Sequence, residues 1–422
     1  MLKLLVKILI WFSRIGVGGL LIFSGLIKAN DTVGFSYKLE EYFEVFSDKM
    51  QQRLDLHASW LPDWLLELMQ WSFQLMHDIA LPLAMIIVVV EIVLGVCAIT
   101  GTKMRWVATA TLVMMLFFTL LTFVSWQYNI VTGCGCFGDA IKLTPFASFM
   151  KDLVLLVFIL ILYFYRKSIF SLFDTYGDRM TLGVSLLCST LFVVYTYKHL
   201  PVIDFRAYAV GNDLKKEMIR VDPVYENFYV MKNLKTGEEK KFKDYPTDAT
   251  TWKYSSLYQK LIKPGIEPSI TDFVIFDDEG VDHLQEILND SNYTFFLVMH
   301  DLAELGEFQR EGKVAAHFIP DSDTKDDFIM VNAFAKLAEK EGMHFYGLTA
   351  SGIDEISSFR HDMQAAYPFY ASDGTVLKTI IRSNPGLILL KNGVVLGQWH
   401  INDFPDFEDL MENLNINYTE EL

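Results

Sequence analysis

Five long apolar runs in the first half of the chain constrain its fold more than any other feature of the sequence. A membrane-spanning helix needs about 20 consecutive apolar residues. Lipid offers no hydrogen-bond partners, so a lone apolar run crosses a bilayer only as a helix, which satisfies its own backbone. We therefore expect a membrane helical bundle with five spans, the fifth of marginal length: Leu4–Ile27, Ile79–Thr100, Trp106–Trp126, Phe146–Tyr165 and Met180–Tyr197.

Basic residues between these runs predict their orientation. Lys3 and Lys7 precede the first run, the link 101–105 is basic, and Arg166 and Lys167 follow the fourth run. Short cytoplasmic links are enriched in Lys and Arg, which predicts a cytoplasmic N-terminus. The chain after Tyr197 is then extracytoplasmic. We expect a multi-pass protein of the inner (cytoplasmic) membrane, in contact with the lipid bilayer and with its C-terminal part in the periplasm.

Composition excludes several classes of function. The chain has 422 residues and a net charge of -16. This acidic balance argues against nucleic acid as a partner, because phosphate binding needs a basic face. The sequence contains no P-loop, no dinucleotide-binding glycine pattern and no zinc-ligand spacing, so no metal site is expected and no cofactor is evident.

A Cys-x-Cys pair between the third and fourth runs is the candidate catalytic feature. Cys134 and Cys136 lie between glycines in a short polar link on the predicted outer side, where disulfides form and persist. A small, strained disulfide is more readily reduced than a structural one, and glycine permits the backbone angles of a tight ring. Cys97 and Cys188 lie inside apolar runs and are expected to be inert packed thiols.

Two charged side chains lie within the predicted spans. Arg14 is near the middle of the first run and Glu91 is about midway along the second. Charges at membrane depth are costly and usually face the bundle interior, where they are paired or functional. We expect an Arg14–Glu91 ion pair, which either locks two helices together or takes part in proton or quinone chemistry.

The first part of the chain resembles the MauE/DoxX family of redox-associated membrane proteins. The resemblance rests on Arg14-x-Gly16, on the motif 91–95 with the basic link after it, and on Cys134-Gly135-Cys136-Phe137-Gly138. It covers residues 1–170 and implies a four-helix membrane module linked to disulfide or electron transfer outside the membrane. The fifth span, within residues 171–200, extends beyond that module.

The C-terminal part is predicted to be soluble. Residues 201–268 form a small β-rich connecting segment, in which strands at 225–230 and 240–242 make a hairpin around Gly237. Residues 269–422 alternate strands and helices and end in a hairpin on Asn392-Gly393 and a helix, which predicts an α/β fold.

The order of these elements resembles the thioredoxin fold. The resemblance implies a cis-proline at Pro385, directly before a strand. It also implies a Cys-x-x-Cys after the strand that ends at Met299, but His300 and Asp301 stand there instead and no cysteine follows Cys188. We expect a thioredoxin-like domain without redox cysteines, in which His300 and Asp301 are either a remnant polar site or, for His300, a solvated loop residue.

Three interpretations follow from the sequence. In the first, Cys134 and Cys136 cycle between dithiol and disulfide and pass electrons to a quinone or a periplasmic thiol protein, with Lys142 lowering a thiol pKa. In the second, the protein is a non-enzymatic assembly or maturation factor that binds envelope proteins through its C-terminal domain. In the third, the disulfide is structural. We favour the first for the membrane part, combined with partner binding by the C-terminal domain.

Overall fold

The computed structural model describes residues 2–55, 61–128, 137–141, 143–248, 250–414 and 416. Two candidate residues, Cys134 and Cys136, and the neighbouring Lys142 lie outside the described residues. The description below follows the chain from the helical first half to the α/β second half.

Among the described residues of the first half there are seven helices, and five of them are long and apolar enough to cross a membrane, namely α1, α4, α5, α6 and α7. This confirms the five predicted spans, and the fifth is longer than its apolar run suggested because a polar turn that begins at Thr175 extends its N-terminal end. The seven helices are α1 (Leu2–Asn30), α2 (Thr32–Asp55), α3 (Asp63–Asp78), α4 (Ala80–Thr100), α5 (Met104–Tyr128), α6 (Pro145–Tyr165) and α7 (Thr175–Lys198).

Glycines let α1 and α4 cross closely. A Cβ on Gly18 would lie 2.5 Å from Ile99 Cγ1, and one on Gly25 would lie 2.6 Å from Ile92 Cγ1. On the facing helix, a Cβ on Gly95 would lie 2.8 Å from the Gly18 carbonyl oxygen. Small residues at a helix crossing are a common basis of packing in membranes, because backbones can then approach each other.

Helices α2 and α3 were not predicted from the sequence as helices. Phe35, Leu39 and Phe43 are four residues apart and therefore share one face of α2. This face is buried together with Ala80, Ala84 and Val88 of α4 in a single apolar cluster. Charged residues lie between these apolar positions along the chain. The segment therefore has a polar composition and was not predicted as a helix.

The links between the helices lie at two opposite ends of the bundle. At one end, the Leu172 amide donates to the Thr100 carbonyl at 2.9 Å, and the Thr102 hydroxyl donates to Asp178 Oδ1 at 2.9 Å. The basic links at 101–105 and 166–167 therefore lie together. At the other end, the Asn30 side chain exchanges hydrogen bonds of 2.7 and 2.9 Å with the backbone of Ile203, where the second half begins.

The second half begins with a short helix, α8 (Leu214–Glu217), and an antiparallel sheet of β1 (Val224–Asn233), β2 (Glu239–Phe242) and β3 (Trp252–Lys263), in the order β2-β1-β3. The β1–β2 pairing confirms the predicted hairpin. Strand β3 was missed because its polar residues Ser255, Ser256 and Gln259 break the apolar pattern of a strand.

The rest of the chain alternates strands and helices. Its elements are α9 (Leu284–Leu288), β4 (Tyr293–Met299), β5 (Gly306–Glu311), β6 (Val314–Pro320), α10 (Ser322–Lys340), β7 (His344–Thr349), α11 (Ile353–Met363), β8 (Phe369–Ala371), α12 (Gly374–Ile380), β9 (Gly386–Lys391), β10 (Val394–His400) and α13 (Phe407–Asn413), with 3₁₀ turns at Leu302–Glu304 and Ile401–Asp403.

A five-stranded mixed sheet organises these elements, in the order β10-β9-β4-β7-β8. Strands β4, β7 and β8 are parallel, and β9 is antiparallel to β4. A separate β5–β6 hairpin follows the first 3₁₀ turn.

Local features of this sheet agree with the sequence. Asn392 and Gly393 join β9 to β10 with φ of 50° and 78°, the left-handed conformation that a two-residue hairpin turn requires. The Asn384–Pro385 peptide bond, directly before β9, is cis. Apolar clusters cover both faces of the sheet, which places it in the interior of an α/β unit.

Candidate functional site

A buried arginine joins the two halves of the molecule. Arg382, between α12 and β9, is 8% exposed and donates from Nε and Nη2 to both carboxylate oxygens of Asp31, at 3.0–3.2 Å. Asp31 lies at the corner between α1 and α2. Arg382 Nη2 also lies 3.5 Å from Asp139 Oδ2, in the segment that follows the Cys-x-Cys motif. The same guanidinium therefore contacts the helix corner and the cysteine-bearing link.

The charges of this cluster stabilise one another. Burial alone would raise the pKa of Asp31, but the charge and hydrogen bonds of Arg382 hold that pKa below its ordinary value. Burial likewise opposes the charge of Arg382, and Asp31 and Asp139 outweigh it and raise the pKa of the guanidinium. Both groups are therefore ionised near neutral pH, and neither is left as an uncompensated buried charge.

The close approach of Asp31 and Arg382 depends on a glycine. A Cβ on Gly34 would lie 2.3 Å from Asp31 Oδ2 and 2.6 Å from Arg382 Nη2. The Gly34 amide also donates to Asp31 Oδ1 at 2.8 Å. Residue 34 must therefore lack a side chain for the ion pair to form in this position.

Two further contacts from α2 reach the C-terminal half. The Tyr37 hydroxyl lies 3.5 Å from His300 Nε2, at the end of β4. Glu40 Oε2 lies 3.6 Å from Lys378 Nζ on α12. These contacts could not be predicted from the sequence, because they join a segment predicted only as polar to residues more than 250 positions away.

The residues of the predicted remnant site are brought together. His300 and Asp301 follow β4, and the Asn384 side chain, beside Pro385, donates to the Asp301 carbonyl at 2.9 Å. Asp301 also caps the following 3₁₀ turn by accepting from the Ala303 amide. This end of the sheet faces α2 of the helical half.

The expectation that His300 is solvated is wrong. The side chain is 5% exposed because Tyr37 and the end of β4 cover it. Burial, together with the positive charges of Lys378 and Arg382, lowers the pKa of His300 to about 4. The imidazole is therefore neutral near pH 7.

A cavity of about 650 Å³ opens between the two halves beside this cluster. Helix α2 supplies an acidic rim that includes Glu40, Glu41 and Glu44, while Phe137 and Ser148 contribute from the link and from α6. Ser148 is fully buried, and its hydroxyl has no hydrogen-bond partner among the described residues. A volume of this size fits the range of ligand sites in proteins, which is about 300–1,000 Å³.

The predicted Arg14–Glu91 ion pair is wrong. Glu91 instead accepts from Lys28 Nζ at 2.7 Å, and both side chains are 4% exposed. Lys28 also donates to the Ser24 hydroxyl at 3.0 Å and borders the cavity. Lysine at the last turn of α1 was overlooked as a partner because it lies at the end of the apolar run.

Arg14 has a different role from the predicted one. Its guanidinium donates to the carbonyls of Ala98 and Ile99 at 3.2 and 2.7 Å and lies 4.2 Å from the centre of the Trp11 ring. These carbonyls are at the C-terminal end of α4, which has unsatisfied acceptors and partial negative charge. Arg14 therefore caps α4, more than one helical turn away from Glu91.

A second polar cluster lies under the cysteine-bearing link. Asp152 of α6 is fully buried and is bound by Lys151 Nζ at 2.8 Å and by the Thr122 hydroxyl at 3.0 Å. Lys151 Nζ also lies 5.1 Å from the centre of the Phe137 ring, and Phe137 is bonded directly to Cys136 in the chain. A cation is therefore held next to the residue that follows the second cysteine.

The two remaining thiols differ in their burial. Cys97 is buried in α4, as expected of a packed thiol, whereas Cys188 is exposed on α7, so the expectation that Cys188 is packed is wrong. Cys134, Cys136 and Lys142 lie outside the described residues, so their predicted roles stay predictions. Within the ranges that the structure describes, no group of His, Cys, Asp and Glu side chains is arranged to hold a metal ion.

Comparison with known proteins adds one finding. The family model described as "Methylamine utilisation protein MauE" matches residues 66–165, from α3 to the end of α6. No curated protein and no solved structure matches the chain.

Proposed function

We propose that this chain is a MauE-family membrane redox component, and the match of residues 66–165 to the MauE family model supports the proposal. Cys134 and Cys136 cycle between dithiol and disulfide at the extracytoplasmic face. The C-terminal unit is a thioredoxin-like domain that lacks redox cysteines and binds partners above the cysteine-bearing link. The matched region includes both cysteines and the helices on either side of them.

The observation that carries this proposal is the position of Arg382. This side chain of the C-terminal half contacts Asp139, three residues after Cys136, and Asp31 at the helix corner. A partner bound to the C-terminal domain is thereby brought to the link that carries the two thiols. The cavity beside Arg382 provides space for a client segment.

The end of the sheet that carries His300 and Pro385 supports the proposed domain type. In a thioredoxin-like domain the cis-proline lies beside the loop that follows the first core strand. Here the cis Asn384–Pro385 bond lies beside the His300–Asp301 loop, to which Asn384 donates a hydrogen bond. With no cysteine in that loop, the domain supplies binding and the membrane link supplies the thiols.

The proposed reaction is thiol–disulfide exchange. A client thiolate attacks one sulfur of the Cys134–Cys136 disulfide, and the other sulfur leaves as a thiolate that takes up a proton. A second client thiolate then attacks the mixed disulfide, so that the client becomes a disulfide and the Cys pair a dithiol. The dithiol then passes two electrons and two protons to a quinone or to the disulfide of a periplasmic thiol protein, and this oxidation restores the Cys134–Cys136 disulfide.

The proposed location is the inner membrane with the C-terminal half in the periplasm. The basic links at 101–105 and 166–167 share one end of the bundle, and the second half begins at the other. Lysine and arginine in short links favour the cytoplasmic side. This orientation puts the Cys pair in an oxidising compartment, as the reaction requires.

The oxidation state of the Cys pair tests this proposal. We expect Cys134 and Cys136 to be disulfide-bonded in the purified chain, and a mild dithiol to reduce them while the helices stay folded, because a small ring gains little loop-closure stabilisation. The measurement is alkylation with mass spectrometry alongside circular dichroism. A Cys97→Ser/Cys188→Ser variant should behave identically. A disulfide that is reduced only when the bundle unfolds would contradict the proposal.

One observation favours a second candidate, a non-enzymatic assembly or maturation factor with a structural disulfide. The His300–Asp301 end of the C-terminal domain is covered by Tyr37, so the domain is already docked on the bundle. A fixed scaffold for envelope proteins would have this arrangement. Normal cell function of a Cys134→Ser/Cys136→Ser variant, with the same co-purified proteins, would favour this second candidate.

A further inference from the structure

Aromatic and aliphatic side chains predominate on one face of the sheet β2-β1-β3. Tyr225 lies opposite Leu261, and Tyr229 lies opposite both Leu257 and Phe242, so these five side chains share a face. A register shift at Val230–Met231 brings Tyr254 to the same side. We call the six residues Tyr225, Tyr229, Phe242, Tyr254, Leu257 and Leu261 the aromatic face.

Much of the aromatic face is exposed. Tyr225, Tyr254, Leu257 and Leu261 are 48, 46, 45 and 51% exposed. Tyr245 packs against Tyr229 and Tyr254, and one polar pair, Asn227–Gln259, interrupts the face. An antiparallel sheet normally packs one apolar face against a core and leaves only the other in water. Exposed apolar groups of this kind mark an interaction site, and aromatic residues are enriched at protein interfaces.

The opposite face carries the charged residues together with Phe228 and Tyr258, whose rings are in contact. Glu226 is bound by Lys243 at 2.7 Å and lies across from Lys260 in the register. Lys241 Nζ lies 3.3 Å from the centre of the Tyr258 ring. The two faces therefore differ in that the ion pairs lie on the face opposite the aromatic face.

Strand β3 also has a free edge. It pairs with β1 on one side, and on its other side no strand of the described chain pairs with it. Its 12 residues offer a row of main-chain donors and acceptors, about 40 Å long at 3.3 Å per residue. The strand carries Lys253, Lys260 and Lys263 and no acidic residue, although the whole chain has a net charge of -16.

We propose that β3 is a docking edge for an extended acidic segment of a partner polypeptide, which adds to the sheet as a fourth strand. Alternate apolar side chains of that segment extend the aromatic face, and its carboxylates meet the lysines of β3. Strand addition of this kind takes affinity from main-chain hydrogen bonds and specificity from side chains on alternate sides. The inference goes beyond the proposed redox reaction, because it involves neither the thiols nor the cavity.

The lysines of β3 also favour an acidic partner over a second copy of the same strand. Lys side chains on an exposed edge discourage pairing with another copy of the same strand, because like charges would meet. An acidic segment relieves that repulsion. The edge therefore selects against self-association and for a partner of opposite charge.

A synthetic peptide tests the docking edge. The probe is an 11-residue peptide of alternating Val and Glu with an N-terminal fluorophore, titrated with the full chain in lipid nanodiscs and followed by anisotropy. We expect saturable binding that weakens at least about tenfold in the Lys253→Glu/Lys260→Glu/Lys263→Glu variant, equivalent to about 1.4 kcal/mol. The same peptide with every backbone nitrogen N-methylated should not bind, because it cannot donate main-chain hydrogen bonds from either edge.

A matched variant controls for net charge. Lys325, Lys336 and Lys340 are exposed on α10, so Lys325→Glu/Lys336→Glu/Lys340→Glu makes the same charge change away from β3. It should bind the peptide as the unmodified chain does. Absence of binding up to about 1 mM, equal loss in both triple variants, or unchanged binding of the N-methylated peptide would overturn the proposal. Detergent-solubilised chain that binds anionic vesicles through these lysines, but not the peptide, would assign the surface to lipid.

Discussion

At the residue scale, the buried charges of the helical half are each compensated by a specific partner. Lys28 forms an ion pair with Glu91 and donates a hydrogen bond to Ser24, and Arg14 donates hydrogen bonds to the last carbonyls of α4. Removing one partner of a buried pair leaves a charge without compensation, whereas removing both is much less costly. This difference makes the correct pairing testable by mutation.

Replacing Glu91 by Gln should destabilise the bundle by roughly 3–5 kcal/mol, because the Lys28 ammonium would be left buried without its counter-charge. The double variant Lys28→Met/Glu91→Gln should be markedly more stable than the single one. The measurement is thermal unfolding of the full chain in detergent. Glu67→Gln, on the exposed surface of α3, is the matched control. Equal stability of the single and double variants would show that Lys28 and Glu91 are not coupled.

His300 should make the molecule less stable in acid. Its pKa is about 4 when folded and about 6.5 when unfolded, so between these values the unfolded state binds the extra proton. Stability is therefore fully present above pH 6.5 and is lost as the pH falls toward 4, by roughly 3 kcal/mol. In thermal melts from pH 7.5 to 4.5, His300→Gln should show a shallower pH dependence than the unmodified chain. Parallel pH profiles for the two proteins would refute this assignment.

At the element scale, helix α2 connects the bundle to the C-terminal half, and it was not predicted from the sequence. The apolar runs predicted the five spans because lipid imposes length and apolarity on each of them separately. Helix α2 forms because Phe35, Leu39 and Phe43 pack on α4, and this tertiary contact is not visible in a segment of mixed composition. Strand β3 was missed for a different reason, since polar residues break its apolar pattern, whereas the hairpin on Asn392-Gly393 was predicted from its own turn residues.

Replacing Gly34 by Ala should loosen the contact between α2 and the C-terminal half. The new methyl group would overlap Asp31 and Arg382, so the ion pair would separate even though alanine favours helix formation. Hydrogen–deuterium exchange should increase in residues 372–385 and around Asp139. Gly19→Ala is the control, because a Cβ there has no atom within 4 Å. Unchanged exchange in the Gly34 variant would show that the ion pair does not hold the two halves together.

At the scale of the whole molecule, the sequence predicted the two halves and the residues at the sheet end, but not how they meet. Pro385, His300 and Asp301 were identified, and they do lie together. Asp31, Asp139 and Arg382 were not, because single acidic and basic residues in polar links carry no pattern. Only the folded chain shows that one arginine contacts both the helix corner and the link after the cysteines.

The proposed orientation predicts which ends of the molecule lie outside the cytoplasm. Alkaline phosphatase fused after Leu422 should be active, because the enzyme folds only where disulfides form. The same reporter fused after Lys103, in the basic link between α4 and α5, should be inactive. A green fluorescent reporter at these two positions should give the reverse pattern. Phosphatase activity at Lys103 alone would reverse the orientation and place the Cys pair in the cytoplasm.

The central claim is that Cys134 and Cys136 exchange disulfides with a partner protein, and trapping the mixed disulfide tests it most directly. In a Cys136→Ser variant the Cys134 thiol has lost the neighbour that would resolve a mixed disulfide. Cells expressing this variant, quenched with acid and alkylated, should show a band of higher mass that contains the chain and disappears on reduction. The band should be absent when Cys134 is also replaced, and unaffected by Cys97→Ser/Cys188→Ser. A Cys136→Ser variant that forms no reducible adduct would contradict the account, as would an adduct that persists without Cys134.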